Sequence, residues 1–429
     1  MAGKMKSKGS QSEAASNEQG AERQGWPAKL LQAGLLALVA LLLGGAWVWF
    51  SQPSAKQDGP ATSETSRRIK GNLGPWGELE YIPILIETPD EFLSVAGQGG
   101  REETVWFFQN LSVTAMAEIF NAAGLSRVER DWLLDQRNWM PVTNGFAISP
   151  PPHILMGISP EARQRIYSVL ADCGGNPLHE LPMAFRRDAL DMWFYSSGLS
   201  ANAVALTKSL LYQRGNAWCL SDWPLLLRSL QSPDEQRRLL KTLSRQSTLL
   251  VRLRVGQNSD LDPLVSYWGR SGRLKDIRPL LQSVAMVPEG VHLDVVHLLP
   301  RFVRSRIYTY PFPSEPGGAI PGNCFWSSMN FFSSGNPDDR YNDPEEMRRC
   351  LREDYFPIAD SYLLGDVILL SKPDGTLVHA VVFIADDVVF TKNGAASTQP
   401  WMFTRMQDLA ASYPSEQPLK LKAYRRRDM

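Results

Sequence analysis

Cysteine is scarce in this sequence. The 429 residues include four cysteines, Cys173, Cys219, Cys324 and Cys350. Four thiols spread over a chain of this length are no disulfide framework of the kind that holds small secreted domains together. Whether Cys173 and Cys219 pair is left open by the sequence. With 43% hydrophobic residues, the chain is long enough to bury a sizeable core instead.

An excess of charge of one sign is also lacking. Lysine plus arginine and aspartate plus glutamate each number 45, so the formal net charge is zero. No block of basic residues and no nucleic-acid motif is present, and we predict no nucleic-acid partner. His292 and His297 lie five positions apart, whereas zinc-binding helices use a spacing of four. We therefore predict neither a metal nor another cofactor.

One long apolar run stands near the N-terminus. Residues 1–28 are polar and predicted to be a disordered cytoplasmic tail. Residues 29–50 are predicted to be a single-pass transmembrane helix, because the run from Leu30 to Phe50 would measure about 30 Å as a helix. The preceding lysines and arginines favour a cytoplasmic N-terminus, with the bulk of the chain outside the cell membrane. A cleavable signal peptide is the alternative. Residues 51–75 read as a flexible linker.

Residues 76–305 are predicted to form a mostly helical domain. Ser159-Pro160-Glu161 and Ser232-Pro233-Asp234-Glu235 each combine a capping hydroxyl, a proline at the first helical position and acids in the first turn. A strand is predicted near residues 78–87, where Pro83 would confine it to a sheet edge. No polar constellation stands out here. We interpret the domain as a packing and spacing unit, with substrate gripping as the alternative.

Residues 306–429 carry the candidate chemistry. Cys324 follows the turn signal Pro321-Gly322-Asn323 and precedes a helix-compatible aromatic run. It therefore sits where a helix would begin, and the free N–H groups of a helix start favour the thiolate, the nucleophilic form of cysteine. Cys350 lies in the middle of a charged helix and is a poorer candidate.

His379 is the candidate base. It lies in a strand from Leu377 to Ile384, which a short turn at Asp386-Asp387 connects to a second strand. A three-residue loop would set His379 opposite Asn393, and a two-residue loop would set it opposite Gly394. A polar group there can orient the imidazole; Asn393 suits this role best, and Thr391 is the second choice.

This order of motifs resembles the NlpC-type cysteine peptidases of bacterial cell walls. A cysteine at a helix start is followed by Gly365-Asp366 on a strand and then by His379 in an apolar strand. Asn323-Cys324-Phe325-Trp326 stands where the family has Asp-Cys-Ser-Gly, and Asn393 or Thr391 replaces a histidine. The resemblance implies a papain-like α+β domain with a small antiparallel sheet, no metal, and cleavage of amide bonds in peptidoglycan stem peptides.

The predicted function is thus a membrane-anchored thiol hydrolase within an α+β chain. Cys324 attacks the carbonyl carbon, His379 transfers the protons, and the backbone N–H of Cys324 with Asn323 receives the oxyanion. Trp326, Thr391 and Trp401 are candidates for lining the substrate. A catalytically inactive envelope interaction module of the same fold is the alternative, and thiol-dependent acyl transfer or lipid hydrolysis is a third hypothesis. The oligomeric state is left open.

Overall fold

The computed structural model describes residues 68–96, 104–312, 322–414 and 417–429. Strands are distributed along the whole of this part of the chain. In chain order they are β1 (Ile69–Lys70), β2 (Glu78–Ile86), β3 (Trp106–Gln109), β4 (Trp139–Val142), β5 (Gly145–Ile148), β6 (Met183–Arg186), β7 (Tyr212–Arg214), β8 (Ala217–Leu220), β9 (Gln246–Val255), β10 (Val291–Asp294), β11 (Tyr355–Ile358), β12 (Val367–Ser371), β13 (Leu377–Ala385), β14 (Val388–Lys392), β15 (Trp401–Arg405) and β16 (Lys420–Arg426).

The helices are short and lie between these strands. They are α1 (Asp90–Ala96), α2 (Val113–Ala122), α3 (Arg127–Leu134), α4 (Pro152–Gly157), α5 (Pro160–Asp172), α6 (Pro177–Glu180), α7 (Leu190–Phe194), α8 (Ala201–Ser209), α9 (Trp223–Ser229), α10 (Pro233–Leu243), α11 (Leu261–Trp268), α12 (Leu274–Ala285), α13 (Arg301–Arg304), α14 (Cys324–Met329), α15 (Pro344–Asp354) and α16 (Met406–Ser412). Single 3-10 turns at Gln136–Asn138, Arg187–Ala189, Val295–Leu298 and Asp339–Asn342 complete the regular structure of the described residues.

The strands form antiparallel sheets. A six-stranded sheet has the order β11-β16-β12-β13-β14-β15, and a four-stranded sheet has the order β1-β2-β9-β10. Two three-stranded sheets follow the orders β3-β5-β4 and β6-β8-β7. β12, β13 and β14 are rich in valine, isoleucine and phenylalanine and are buried almost throughout, as expected of central strands covered on both faces.

The fold-class prediction is wrong. The chain is α+β, but its middle part is not mostly helical, because the four-stranded sheet and both three-stranded sheets come from residues before 295. The C-terminal sheet has six strands and is not small. In the described part of the chain, every helix is too short or too polar to cross a bilayer. The predicted span at residues 29–50 lies outside the described residues, as do the predicted tail and most of the predicted linker.

The predicted helix starts are confirmed. The Ser159 side chain accepts a hydrogen bond from the backbone N–H of Ala162 at the start of α5, and Ser232 does the same for Glu235 at the start of α10. In both helices proline occupies the first position, where a missing N–H costs nothing. Pro83 lies inside β2. It pairs with β9 on one side, whereas on the other side β1 is only two residues long and does not extend as far as Pro83. Its missing donor therefore leaves no ladder hydrogen bond unmade.

Hydrophobic packing joins the four-stranded sheet to the six-stranded sheet. One core contains residues of β2, β9, α11, α14, β13, β14 and β15, on both sides of the domain boundary predicted at residue 305. Three polar contacts accompany it: Thr248 exchanges hydrogen bonds with the backbone of Phe403, Tyr267 donates to the Ile384 carbonyl, and Tyr81 donates to Asp386. A separate core lies between α2, α5, α10 and the three-stranded sheets.

The turn between β13 and β14 has the shorter of the two lengths considered for it, but the register beyond the turn is the one expected for the longer loop. Ala385 pairs with Val388, so Asp386 and Asp387 form a two-residue turn, in which Asp386 has a φ of 57°. An irregularity between Phe383 and Ala385 then shifts the register, and Val382 lies opposite Phe390. Extending this register sets His379 opposite Asn393, as the three-residue loop predicts.

Candidate active site

Cys324 is the first residue of α14, as predicted. Asn323 caps the helix: its backbone is extended, and its Oδ1 accepts a hydrogen bond of 2.9 Å from the N–H of Trp326. Its Nδ2 donates to the Asn342 carbonyl oxygen at 3.1 Å. Both ends of this side chain therefore hold the helix start in place, and Asn323 is a positioning residue more than a free oxyanion donor.

Two opposing effects act on the pKa of the Cys324 thiol. The N–H groups of Ala380 in β13, of Phe325 and of Cys324 itself all lower the pKa of the thiol. Burial acts in the opposite direction and dominates, because the residue is only 6% exposed. The net result is a pKa raised to about 11. The backbone donors of the helix start thus lower the pKa of the thiol as expected, but burial outweighs their effect.

His379 is fully buried and bonded at both ring nitrogens. Nε2 lies 2.6 Å from Oγ1 of Thr391, and Nδ1 lies 2.7 Å from the hydroxyl of Tyr413. The Tyr413 ring lies 4.4 Å from the imidazole with 30° between the planes. Burial lowers the pKa of His379 to about 3, so the ring is neutral. Thr391, the second choice, makes the contact with the imidazole that was expected of Asn393.

Asn393 contacts Tyr413 and does not contact the imidazole of His379 directly. Its Oδ1 accepts a hydrogen bond from the Tyr413 hydroxyl at 3.3 Å. When that hydroxyl donates to Asn393, its oxygen is free to accept Nδ1–H of His379, and Nε2 then accepts the hydroxyl proton of Thr391. The four side chains form one chain of hydrogen bonds. Tyr413 was not predicted, since it follows a short helix far from the motifs and carries no local signal.

The six-stranded sheet separates Cys324 from this chain. Ala380, Val382 and Phe390 share the core of α14, whereas Val381, Phe383 and Val389 pack against Leu409 of α16. His379 pairs with Leu370, which belongs to the α16 face. Within the described residues no hydrogen bond joins Sγ of Cys324 to the His379 ring. Cys324 and Tyr413 are close enough for a negative charge on one to disfavour ionisation of the other.

Lys392 is a second unpredicted member of the site. It ends β14, lies opposite Trp401 of β15 and is fully buried. Its Nζ donates hydrogen bonds to the carbonyl oxygens of Gly394 at 2.6 Å and Ala396 at 3.2 Å. The sequence does carry a signal for it: Val388, Phe390 and Lys392 occupy alternate positions of one strand, so the lysine continues an apolar face.

The two candidate lining tryptophans are packing residues. Trp326 is 7% exposed and donates from its ring N–H to Asp339, while Trp401 is 6% exposed and donates to the Ser327 hydroxyl. The rings lie 6.4 Å apart. Together they fix α14 against β15, which positions Cys324 without offering either indole to a substrate.

The remaining thiols give no second site. Cys173, Cys219 and Cys350 are all unpaired, so the open pairing of Cys173 with Cys219 is not formed. Cys350 lies beside the Tyr341 hydroxyl and the Asp354 carboxylate, and burial together with that carboxylate raises the pKa of its thiol. No cluster of three metal-ligating side chains occurs within the described ranges.

Comparison of the chain with models of known protein families, with curated proteins and with solved structures finds no match. The fold and the site define the class of the protein only as an α+β protein with a buried thiol, imidazole and amine around one sheet.

Proposed function

We propose that the protein is a thiol hydrolase that cleaves amide bonds, with Cys324 as its nucleophile. The observation that carries the proposal is the position of Cys324 as the first residue of a capped helix that packs on the central sheet, where the backbone N–H groups of Ala380, Phe325 and Cys324 lower the pKa of its thiol. Donors of this kind stabilise negative charge, first on a thiolate and then on the oxyanion that forms beside it.

The reaction follows from these groups. The thiolate attacks the amide carbonyl carbon, a C–S bond forms, and the carbonyl electron pair moves to oxygen. When the intermediate collapses, the C–N bond breaks and the amine takes a proton. Water then hydrolyses the thioester and frees Cys324. We assign proton transfer to His379 in the tautomer that carries its proton on Nε2, in which Nδ1 accepts the Tyr413 hydroxyl. The proton of the Cys324 thiol passes through that hydroxyl to Nδ1 and returns by the same path to the leaving amine, because Tyr413 contacts Nδ1 and lies within electrostatic range of Cys324.

Peptidoglycan stem peptides are the substrate class that the resemblance to NlpC-type peptidases implies, and they are the first amides to test. Support from this chain is confined to the cysteine, the histidine and the polar residue twelve positions after the histidine, Thr391. We therefore base the proposed reaction class on the geometry of the site, and we base the proposed substrate, the stem peptide, on the resemblance.

A catalytically inactive binding module is the second candidate. Two observations favour it: Cys324 is 6% exposed with a pKa raised to about 11, and both nitrogens of His379 are occupied. In this alternative the buried polar groups stabilise the fold, and the surface binds an envelope partner. The two candidates differ in whether a substrate ever reaches the sulfur.

The test is amide turnover by the full chain. Release of free amine from stem peptides, and from a panel of other peptide amides, is measured for the wild type, Cys324→Ala, His379→Ala and Tyr413→Phe. Cys350→Ala is the matched control, because it removes a buried thiol elsewhere. We expect complete loss in Cys324→Ala, a loss of about 10²–10⁴ in His379→Ala, and a smaller loss in Tyr413→Phe.

Two results would overturn the proposal. One is wild-type protein without turnover whose Cys324 reacts with iodoacetamide no faster than Cys350, as read by mass spectrometry of the labelled peptides. The other is turnover that survives Cys324→Ala. Either would direct the search towards binding partners.

A further inference from the structure

Lys392 is a buried cation for which the mechanism above has no use. It is fully buried at the end of a central strand, where an ammonium group loses its hydration. Its two hydrogen bonds go to the neutral carbonyls of Gly394 and Ala396, and no carboxylate of the described residues lies within salt-bridge distance of Nζ. A lysine in such a place without a carboxylate partner either loses its proton or is kept charged by another source of negative charge.

Cys324 lies on the same side of the sheet as Lys392. Lys392 lies opposite Trp401 and follows Phe390 by two positions, so it belongs to the sheet face that packs against α14. Trp401 donates to Ser327, one turn along α14 from Cys324, and its ring lies 5.7 Å from Nζ. The charges of Cys324 and Lys392 interact: each favours the ionised form of the other.

The hydrogen bonds of Nζ suit this arrangement. Two of its N–H groups are held by the two carbonyls, which fixes the nitrogen in place. An ammonium has a third N–H, and a neutral amine has a lone pair in the same position. The group can therefore make both bonds in either protonation state. Burial lowers the pKa of Lys392 to about 7, and the Cys324 thiolate partly reverses that effect.

We propose that Lys392 is a positioning residue of the same site, whose ammonium charge stabilises the thiolate of Cys324 and so supplies the reactive form of the nucleophile. The proposal rests on the proposed function for its purpose, but the charge pair itself is measurable without a substrate. Proton transfer in the proposed reaction stays assigned to His379 through Tyr413, which lies within electrostatic range of Cys324.

The other charged groups near the pair are few. Arg306 lies over the Trp401 ring at 5.9 Å and over the Trp326 ring at 5.3 Å, so it is a second cation beside the same indole. Tyr413 interacts with Cys324 from the α16 face and opposes a thiolate only if it ionises itself, which its strongly raised pKa prevents at neutral pH. Arg306 therefore offers a matched control for the lysine.

The experiment is the rate of Cys324 alkylation against pH in the full chain, read at that residue by mass spectrometry. Two reagents of similar size are compared, neutral iodoacetamide and anionic iodoacetate. The proteins are the wild type, Lys392→Met and Arg306→Met. Methionine keeps much of the lysine's length and removes a buried charge, which favours folding. Near-ultraviolet circular dichroism verifies the tertiary structure of each variant.

We expect Lys392→Met to slow alkylation by iodoacetamide at neutral pH by about tenfold, because a rise of one pKa unit reduces the thiolate fraction tenfold. The preference for iodoacetate over iodoacetamide should fall as well, since a nearby cation attracts the anionic reagent. Arg306→Met should change neither. Overlapping profiles of wild type and folded Lys392→Met would overturn the proposal.

A second measurement uses the wild type alone and therefore does not depend on whether a variant folds. If Cys324 shows no greater preference for iodoacetate than Cys350 in the same molecule, no cation acts on its thiolate and the proposal fails. Failure of the proposed function is a separate result. Cysteine-dependent turnover without any effect of Lys392→Met refutes the charge pair alone, whereas an intact charge pair without turnover refutes the hydrolase alone.

Discussion

Nε2 of His379 lies 2.6 Å from Oγ1 of Thr391 in the neighbouring strand, and both atoms are buried. The two residues are 12 positions apart and are joined by a two-residue turn followed by a register shift. The Thr391 hydroxyl can either donate to Nε2 or accept from it, so this contact is compatible with both tautomers of the imidazole. The orienting role predicted for Asn393 or Thr391 thus falls on the threonine.

Thr391→Val should therefore reduce both stability and turnover. Valine has nearly the shape of threonine but leaves Nε2 of His379 buried without a partner, which costs about 1–3 kcal/mol in the free energy of unfolding. Thr391→Ser keeps the hydroxyl and is the control. Urea denaturation and amide turnover of the three proteins provide the check. Thr391→Val without any loss would show that the hydrogen bond does not matter, and a larger loss in Thr391→Ser than in Thr391→Val would show that the methyl group matters more.

The buried histidines should make the protein less stable in mild acid. Burial lowers the pKa of His179 to about 3, helped by the charges of Arg163 and Arg214, and burial lowers that of His379 to about 3. The unfolded chain binds protons at these residues below about pH 6.5, and the folded chain does not. Stability is therefore complete above pH 6.5 and is lost as the pH falls towards 3, by about 2 kcal/mol per histidine at pH 5.

His179→Phe isolates one of these contributions. The His179 ring packs edge-on against Tyr167 at 4.4 Å, and its Nε2 has no hydrogen-bond partner among the described residues, so phenylalanine replaces it without breaking a bond. We expect the loss in unfolding free energy between pH 7 and pH 5 to shrink by about 2 kcal/mol. The exposed His153→Gln variant should show the wild-type loss. An unchanged loss in His179→Phe would mean that His179 is protonated in the folded protein.

Sequence patterns predict the local features of this protein better than its long-range pairings. The caps at Ser159 and Ser232, the helix start at Cys324 and the hairpin that brings Thr391 to His379 all depend on residues close together in the chain. Tyr413 is 34 positions from His379 and follows a short helix, so no periodicity points to it.

The sheets of the middle part were missed for a related reason. β3 to β8 are three or four residues long, too short for an alternating pattern to be distinguished from a loop. β2 and β9 pair across more than 150 positions, with Tyr81 opposite Val251. The helix starts between them are genuine, but helices and short strands alternate there. Capping signals alone therefore overestimated the helical content of the region.

Asp366 should be among the most sensitive acidic residues. It is fully buried before β12, accepts a hydrogen bond from the N–H of Leu363 at 2.7 Å, and forms two bonds of 2.9 and 2.7 Å with Arg425 of β16. Asp366→Asn leaves the partly buried Arg425 without its charged partner, and losing these charged hydrogen bonds costs about 1.5–3 kcal/mol. Asp428→Asn is the control, because its partner Arg426 is on the surface and its own side chain is 60% exposed. That change should cost less than about 1 kcal/mol in urea denaturation. Similar costs for the two variants would contradict this assignment.

Two separate features favour glycine at position 365, immediately before Asp366: its backbone conformation and its close approach to Phe332. Its φ is +95°, and a Cβ built there would lie 2.2 Å from Cε2 of Phe332. Gly375 has nearly the same φ, +92°, but an added Cβ would meet nothing within 4 Å. Gly375→Ala therefore measures the backbone cost alone, about 1–2 kcal/mol. Gly365→Ala adds the collision with a ring in the core, for about 1–3 kcal/mol more.

Because Phe332 packs on Phe331, which contacts Phe390 next to the site, the excess should also appear as slower alkylation or turnover at Cys324. If the two alanine variants unfold at the same urea concentration, the ring moves aside freely and the close approach of Gly365 to Phe332 has no structural role.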